Sequence, residues 1–158
     1  MPLDAAFSEN QKTALRAWLK LLRVSGQMRK ALQSKLLQAH DVSLSRFDVL
    51  ANLYRAPPEG IRLSELSKQL MVTNGNVTQV LAPLIKSGLV ARHTSKADAR
   101  SATASLTREG AKRFALMAHD HARWVEELMQ GLSKSDQKLV TELLGHLGPK
   151  DAQPATEE

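Results

Sequence analysis

With 158 residues, 42% of them apolar and 24% charged, the chain has the composition of a globular protein of about one domain. It contains no cysteine, which excludes disulfides, thiol catalysis and zinc–thiolate sites. No stretch approaches the 18 continuous apolar residues of a membrane span.

The net charge of +6 is uneven: residues 1–60 and 61–106 carry +4 each, and 107–158 carry −2. A basic front and middle suits a polyanion held in a salt-dependent way, although acidic membranes also attract basic proteins. The first twenty residues hold charges and no signal-type apolar run, so a cytoplasmic location is expected.

In chain order, residues 1–7 read as a loose leader. Ser8, with Glu9 in the following turn, caps a helix. Leu15, Trp18, Leu19, Leu22, Leu32 and Leu36 then recur at three- and four-residue spacing to about residue 40. Gly26 weakens this helix by roughly 1 kcal/mol relative to alanine and marks a candidate bend. A second helix starts near Ser43 and carries Phe47, Leu50, Ala51 and Tyr54. Pro57-Pro58-Glu59-Gly60 stops it.

Residues 61–63 suffice for a minimal strand, and Ser64 opens a compact helix bearing Leu66, Leu70 and Met71. Asn74-Gly75 also has the signature of a β-hairpin turn. Against that, Val77, Val80, Leu81, Leu84 and Ile85 keep the helical spacing and Ser87-Gly88 supplies a helix stop, so the segment is assigned as helix. Extended runs at 89–93 and 102–106 are joined by a loop, 94–101. Thr107 caps a helix over 109–132 with Phe114, Met117, Trp124, Val125 and Leu128 as its apolar positions. Ser133 or Ser135 restarts a last helix bearing Leu139, Leu143, Leu144 and Leu147. Gly148-Pro149 ends it, and 151–158 has the composition of a disordered acidic tail.

Residues 63–106 carry the most specific chemistry. Helix, tight turn, second helix and basic hairpin together place one helix in a DNA major groove and a charged loop against the neighbouring groove. The reading helix begins near Thr73 and presents Thr73, Asn74, Asn76, Thr78 and Gln79, with Ser64 contributing from the helix before. Their hydroxyls and amides hydrogen-bond base edges or phosphates, and a helix N-terminus favours anions. Gly75 lets a phosphate approach the backbone closely. Taken alone, the same residues describe the solvated face of an ordinary helix. The hairpin shifts the balance, with Arg92, His93, Lys96 and Arg100 against a single acid, Asp98. Long cations on a protruding loop suit the narrow minor groove, and Asp98 is placed to orient Arg100 by a charge-assisted hydrogen bond. The plainer reading is an edge hairpin whose charges discourage aggregation.

The flanking helices carry more apolar positions than a small DNA reader needs. Trp18, Leu22, Trp124, Leu128, Leu139 and Leu143 are the candidate dimer contacts, matching the two-fold symmetry of a palindromic operator; packing within one chain is the alternative. None of the five histidines makes a metal signature, since His119 and His121 point apart on a helix. No nucleophile elbow, phosphate loop or zinc-protease motif occurs. No enzyme, no metal and no cofactor is expected.

Several pieces in register resemble the MarR-type winged helix-turn-helix repressors: Arg46-Phe47-Asp48-Val49-Leu50, Leu63-Ser64-Glu65-Leu66, residues 72–78, Gly88-Leu89-Val90, Asp98-x-Arg100, Leu106-Thr107-x-x-Gly110 and the late run Met117-Ala118, His121, Trp124-Val125. Order and spacing hold over roughly 42–147. The resemblance implies a homodimer joined through its N- and C-terminal helices, binding double-stranded DNA at a palindrome. It also implies release by a small, often aromatic and anionic effector, such as an aromatic acid or its coenzyme A thioester, with no membrane involved. By position, the effector lining would include Trp18, Arg46, Phe47, Leu50 and His121. Phe47 and Leu50 are equally well read as core, and Arg46 beside an apolar wall suits a carboxylate. Two departures stand out: Ala82-Pro83 where the family carries Asp-Arg, and Ala99 where a second wing arginine is usual. Proline at 83 removes a helical hydrogen bond and predicts a bend or tightening of the reading helix.

The expected fold is therefore mainly α with a small β wing. An N-terminal dimerisation helix (1–41) and C-terminal dimerisation helices (107–150) flank a winged helix-turn-helix DNA-binding region (42–106), with 151–158 as the tail. The expected function is a DNA-binding regulator released by a small effector; the alternative is an effector-independent DNA-binding or architectural protein of the same fold.

Overall fold

A computed structural model of the chain describes residues 7–70, 74–95 and 98–148. Its elements are α1 (Glu9–His40), α2 (Leu44–Arg55), β1 (Ile61–Arg62), α3 (Leu63–Gln69), α4 (Asn74–Lys86), β2 (Val90–Ser95), β3 (Asp98–Leu106), α5 (Arg108–Met129) and α6 (Lys134–Gly145). Two compact units make up the chain, Met1–Ala122 and Arg123–Glu158, and the boundary falls within α5.

In the first unit, Ser8 starts α1 with a reciprocal capping box. Its Oγ accepts from the Gln11 N–H at 3.3 Å, and the Gln11 side chain accepts from the Ser8 N–H at 2.8 Å. The helix runs unbroken through Gly26 and stops at Asp41, which takes a left-handed conformation (φ 54°) that aspartate tolerates better than most residues. Ser43 caps α2, and the Gln33 side chain accepts from the Leu44 N–H at 2.7 Å, tying the start of α2 to α1.

The three strands form one antiparallel sheet in the order β1-β3-β2, with Ile61 opposite Ala104 and Val90 opposite Leu106. Leu36, Val49, Leu50, Leu66, Val77, Leu81, Leu84, Ala104 and Met117 are closed to solvent and bring α1, α2, α3, α4, α5 and the sheet onto one core. Full burial of each aliphatic side chain contributes about 1.5–3 kcal/mol.

Two expectations are corrected here. First, the short helix α3 begins at Leu63 rather than at Ser64. Arg62 occupies its N-cap position without a side-chain cap bond, because its backbone is extended by pairing with Thr103. Second, the hairpin strands reach Ser95 and start again at Asp98, consuming most of the expected loop. The polar residues there read as loop, but beyond an irregularity between His93 and Ser95 the pairing resumes with Ser95 opposite Asp98. The helix α4 runs from Asn74 to Lys86 with Pro83 inside it.

In the second unit, α5 stops at Met129, short of the expected 132. Ser133 takes the cap of α6, exchanging bonds with Asp136 (3.2 Å each way), and Gln137 donates to the carbonyls of Met129 and Leu132. The helix then ends at Gly145, before Leu147. Leu139, Leu143, Leu144 and Leu147 are exposed, whereas Trp124 is buried and offers little surface to a second copy. No helix among the described residues is long and apolar enough to cross a membrane.

Candidate nucleic-acid interface

The rotation of α4 is set by its apolar face. Val77, Leu81 and Leu84 are at most 1% exposed, and residues three and four apart share a helix face. Gly75, Asn76, Thr78, Gln79 and Ala82 are thereby left facing outward. Among the sequence candidates, Gly75, Asn76, Thr78 and Gln79 sit together in the first two turns of α4, and Ser64 is exposed in the first turn of α3. Thr73 and Lys96 lie outside the described residues. Asn74, Asp98 and Arg100 belong to α4 and β3 by backbone, and their side chains lie outside what is described.

On the wing, Arg92 is exposed. The ring of His93 is 3.1 Å from the Ser105 hydroxyl on the neighbouring strand, so it is engaged within the sheet. Beside α4 lies a cleft of about 350 Å³, whose lining includes Arg29 of α1, Ser45 and Asp48 of α2, and Asn76 and Gln79 of α4. Burial raises the Asp48 carboxyl above its ordinary pKa, with the Arg29 and His121 charges working in the opposite direction.

The end of α4 is locked by backbone geometry. Gly88 is left-handed (φ 72°), its N–H bonds to the Ile85 carbonyl, and the Leu89 N–H bonds to the Leu84 carbonyl, both at 3.0 Å. This is a Schellman closure, with Leu84 and Leu89 both buried. Thr107, the cap of α5, reaches into it. Its Oγ1 donates to the Gly88 carbonyl (2.7 Å) and accepts from the Gly110 N–H (2.9 Å), and its own N–H bonds to the Leu89 carbonyl (3.0 Å). A Cβ on Gly110 would overlap the Leu89 carbonyl. The Thr107-x-x-Gly110 motif therefore fastens the end of α4 to α5.

The effector candidates are dispersed. Trp18 is 54% exposed and lines a groove along α1 with Phe7 and Leu15. Arg46 lines a separate cleft of about 180 Å³, together with Pro83, Leu89 and Arg113. Phe47 and Leu50 are core residues. Phe47 stacks on His121 (ring centroids 4.5 Å apart, 22° between planes) and meets Phe114 at 5.4 Å. Burial lowers the pKa of His121, and the Asp48 carboxylate works the other way. Sequence reading missed Arg29, Asp48 and Arg113, and the bond between the His40 ring and Asp120 at 3.0 Å. These residues come from separate elements, so no local spacing announces them. Among the described residues no three His, Asp or Glu side chains gather as a metal site.

Comparison with known proteins gives a consistent picture. The profile of the MarR family matches residues 42–102. The HTH-type transcriptional regulator PrsX of Escherichia coli is 30% identical over 118 residues, 72% of this chain and 71% of PrsX. The HTH-type transcriptional repressor YetL of Bacillus subtilis is 25% identical over 134 residues, 85% of this chain and 80% of YetL. The crystal structure of a MarR family transcriptional regulator from Silicibacter pomeroyi superposes with a TM-score of 0.75 at 36% identity, covering 87% of this chain and 94% of that one.

Proposed function

The chain belongs to the MarR family of transcriptional regulators, and on that premise we propose that it is a dimeric, cytoplasmic repressor that reads double-stranded DNA and leaves it when a small effector binds. One observation carries the DNA reading: Asn76, Thr78 and Gln79 face outward from the first turns of a helix whose opposite face is locked in the core, ahead of a hairpin exposing Arg92. Outward amides give base discrimination in the major groove. The wing cations, Arg92 with Lys96 and Arg100, add the salt-dependent part.

The dimer reading is supported by apolar faces that each unit leaves open. In α1, Leu15, Trp18, Leu19 and Leu22 are 41–60% exposed. In α6 and just beyond its end, Leu139, Leu143, Leu144 and Leu147 are 43–64% exposed. Contiguous apolar exposure of this kind marks an interaction surface, and a second copy presenting the same faces satisfies two-fold symmetry. An effector such as an aromatic acid or its coenzyme A thioester acts by population shift, binding better to the geometry that fits DNA less well.

Fluorescence anisotropy with DNA upstream of the chain's own gene, repeated at several salt concentrations, tests the DNA reading. Expected are a steep salt slope and clear preference over random DNA; equal affinity for both would overturn it. A constitutive, effector-independent DNA-binding protein is the second reading, favoured by the burial of Phe47 and Leu50 and the separation of Trp18 and Arg46 into different clefts. A thermal-shift screen of aromatic acids and their thioesters separates the two: a compound that stabilises the protein and releases DNA at similar concentrations supports the repressor.

A further inference from the structure

The long helix α1 carries a charge pattern that the proposed contacts of α4 and the wing leave unused. It holds seven lysines and arginines and a single acid, Glu9, which pairs with Lys12 at 2.9 Å. Lys12, Arg16, Lys20, Arg23 and Lys30 recur at four-, three- and seven-residue intervals, so at about 100° per residue they fall within an arc of about 80°. Over residues 12–34 the same arc otherwise contains only Gln27 and Ser34. Arg16, Lys20, Arg23 and Lys30 are exposed, and among the described residues none of them has an ion-pair or hydrogen-bond partner.

Packing fixes which way this ridge faces. Leu32 and Leu36, the buried residues of α1, lie about 180° from the middle of the arc. Leu15, Trp18 and Leu22, the apolar residues offered to a second copy, lie about 100° or more from it. A copy docked on those residues leaves the ridge facing away. A merely solvated helix face gains from alternating signs, because a carboxylate four residues from a cation stabilises a helix and a like charge destabilises it. Arg123 and Glu127 of α5 have the favourable arrangement, at 3.5 Å. Arg16–Lys20 and Lys20–Arg23 have the unfavourable one, within a ridge that spans about 27 Å from Lys12 to Lys30. From Lys12 to Arg23 the steps of about 6 Å are shorter than the Debye length of about 10 Å at about 0.1 M salt, so these cations act as one positive field.

We propose that this ridge is a sequence-independent binding surface for the phosphate backbone of duplex DNA, on a face of the chain other than the one α4 presents. Arg29, which shares a cleft with Asn76 and Gln79 of α4, lies about 140° from the middle of the arc. A duplex carries one phosphate charge per about 1.7 Å of axis, so about 16 of them run along a ridge of about 27 Å, ample for five cations. What the arc lacks separates duplex DNA from other polyanions. It has no aromatic ring on which single-stranded bases stack, and no apolar side chain to enter a bilayer as a membrane-surface helix does. The ridge also belongs to the same compact unit as α4 and the wing. A chain whose α4 reads one stretch of DNA thereby holds a second stretch by phosphate contacts alone. That consequence rests on the DNA reading proposed above, whereas the affinity of the ridge itself does not.

The test uses full-length protein and a fluorescent random-sequence duplex, with anisotropy followed over a range of sodium chloride concentrations. Lys20→Gln with Arg23→Gln removes two ridge cations. Lys134→Gln with Lys138→Gln removes two exposed cations from α6 and is the control of equal charge. Each phosphate contact adds about 0.9 to the slope of log affinity against log salt, so the ridge pair should lower the slope by about 1.8 per chain and the low-salt affinity by at least about tenfold. The α6 pair should leave both near wild type. Glutamine matches lysine and arginine in helix propensity, and like-charge contacts disappear, so the Tm of the ridge variant should not fall. Equal slopes in wild type and the ridge variant, or an equal loss in the α6 variant, overturn the site. Vesicles of phosphatidylserine in phosphatidylcholine are the second probe: vesicle binding that needs the ridge, with duplex binding that does not, overturns the assignment to DNA in favour of a membrane. Absence of any preference for operator over random DNA would overturn the reading by α4 and leave these slopes as they are.

Discussion

The hydroxyl of Thr107 donates to the carbonyl of Gly88 at 2.7 Å, joining the cap of α5 to the residue that closes α4. One side chain thus serves two helices, and it fits only because Gly110 has no Cβ to meet the Leu89 carbonyl. Gly110→Ala is expected to destabilise the protein by about 1–3 kcal/mol through overpacking against the backbone. Thr107→Ala should cost about 1 kcal/mol through the lost cap. Urea denaturation measures both, and a Gly110→Ala protein as stable as wild type would mean that the close approach does not exist in solution.

Reading and anchoring residues should separate in their salt response. Asn76→Ala or Gln79→Ala is expected to lower affinity for the operator by about 1–3 kcal/mol, reduce preference over random DNA, and leave the salt slope alone. Arg92→Ala should weaken all sequences alike and reduce the slope by about one counterion. Identical slopes in wild type and Arg92→Ala would remove Arg92 from the phosphate contacts.

Much of this architecture is legible from local chemistry. The 3–4 spacing of Val77, Val80, Leu81 and Leu84 gave helix over hairpin at Asn74-Gly75, and α4 bears that out. Ser8 acts as the cap its position suggested, and α2 starts beside Ser43, which caps it. What stayed hidden depends on partners distant in sequence. The hairpin extends through polar residues because each strand supplies the other's hydrogen bonds, which neither strand's composition reveals. Likewise Arg46 and Arg113 share a cleft although 67 positions separate them, and no periodicity encodes such a meeting. Cap and period are local quantities; a cleft made by four helix ends is not.

The stacked pair Phe47–His121 predicts an acid sensitivity. Burial lowers the His121 pKa from 6.5, so the unfolded chain takes up a proton at higher pH than the folded one. Stability from this group is fully present above about pH 6.5 and is lost as pH falls below it. His121→Phe keeps a ring on Phe47 but cannot charge, so its Tm should fall less than that of wild type between pH 7.5 and 5. Asp48 has the opposite sign, because its raised pKa makes the folded state lose stability as pH climbs above 3.8. Asp48→Asn is expected to stabilise at neutral pH, with the gain vanishing below pH 3.8, and to steepen the acid loss from His121 by removing a carboxylate that favours the imidazolium. Parallel Tm profiles for wild type and His121→Phe would sink this account.

The open faces of α1 and α6 can be challenged separately. A glutamate in a dry interface leaves an unpaired buried charge, so Trp18→Glu and Leu143→Glu should each shift the protein toward monomer in sedimentation experiments. The same substitutions on a monomer would sit in water at almost no cost. Wild-type protein sedimenting as a monomer at micromolar concentration would refute the dimer directly.

Pro83 offers a test in the other direction. Residue 83 has no N–H, so the bond it would make to the Gln79 carbonyl is missing in the middle of a continuous helix. Proline there costs on the order of 3 kcal/mol relative to alanine in an unconstrained helix, yet α4 keeps its form because Leu81 and Leu84 on either side are buried. Pro83→Ala restores the donor and is expected to raise stability by about 1–3 kcal/mol in urea, less than the full helix value because the ring's contact with the cleft wall is lost. Since the added bond ends on the carbonyl of Gln79, operator affinity should hold or improve in the same variant. A destabilised Pro83→Ala protein would mean that ring packing against the end of α4 outweighs the missing hydrogen bond, and that proline is retained here for stability.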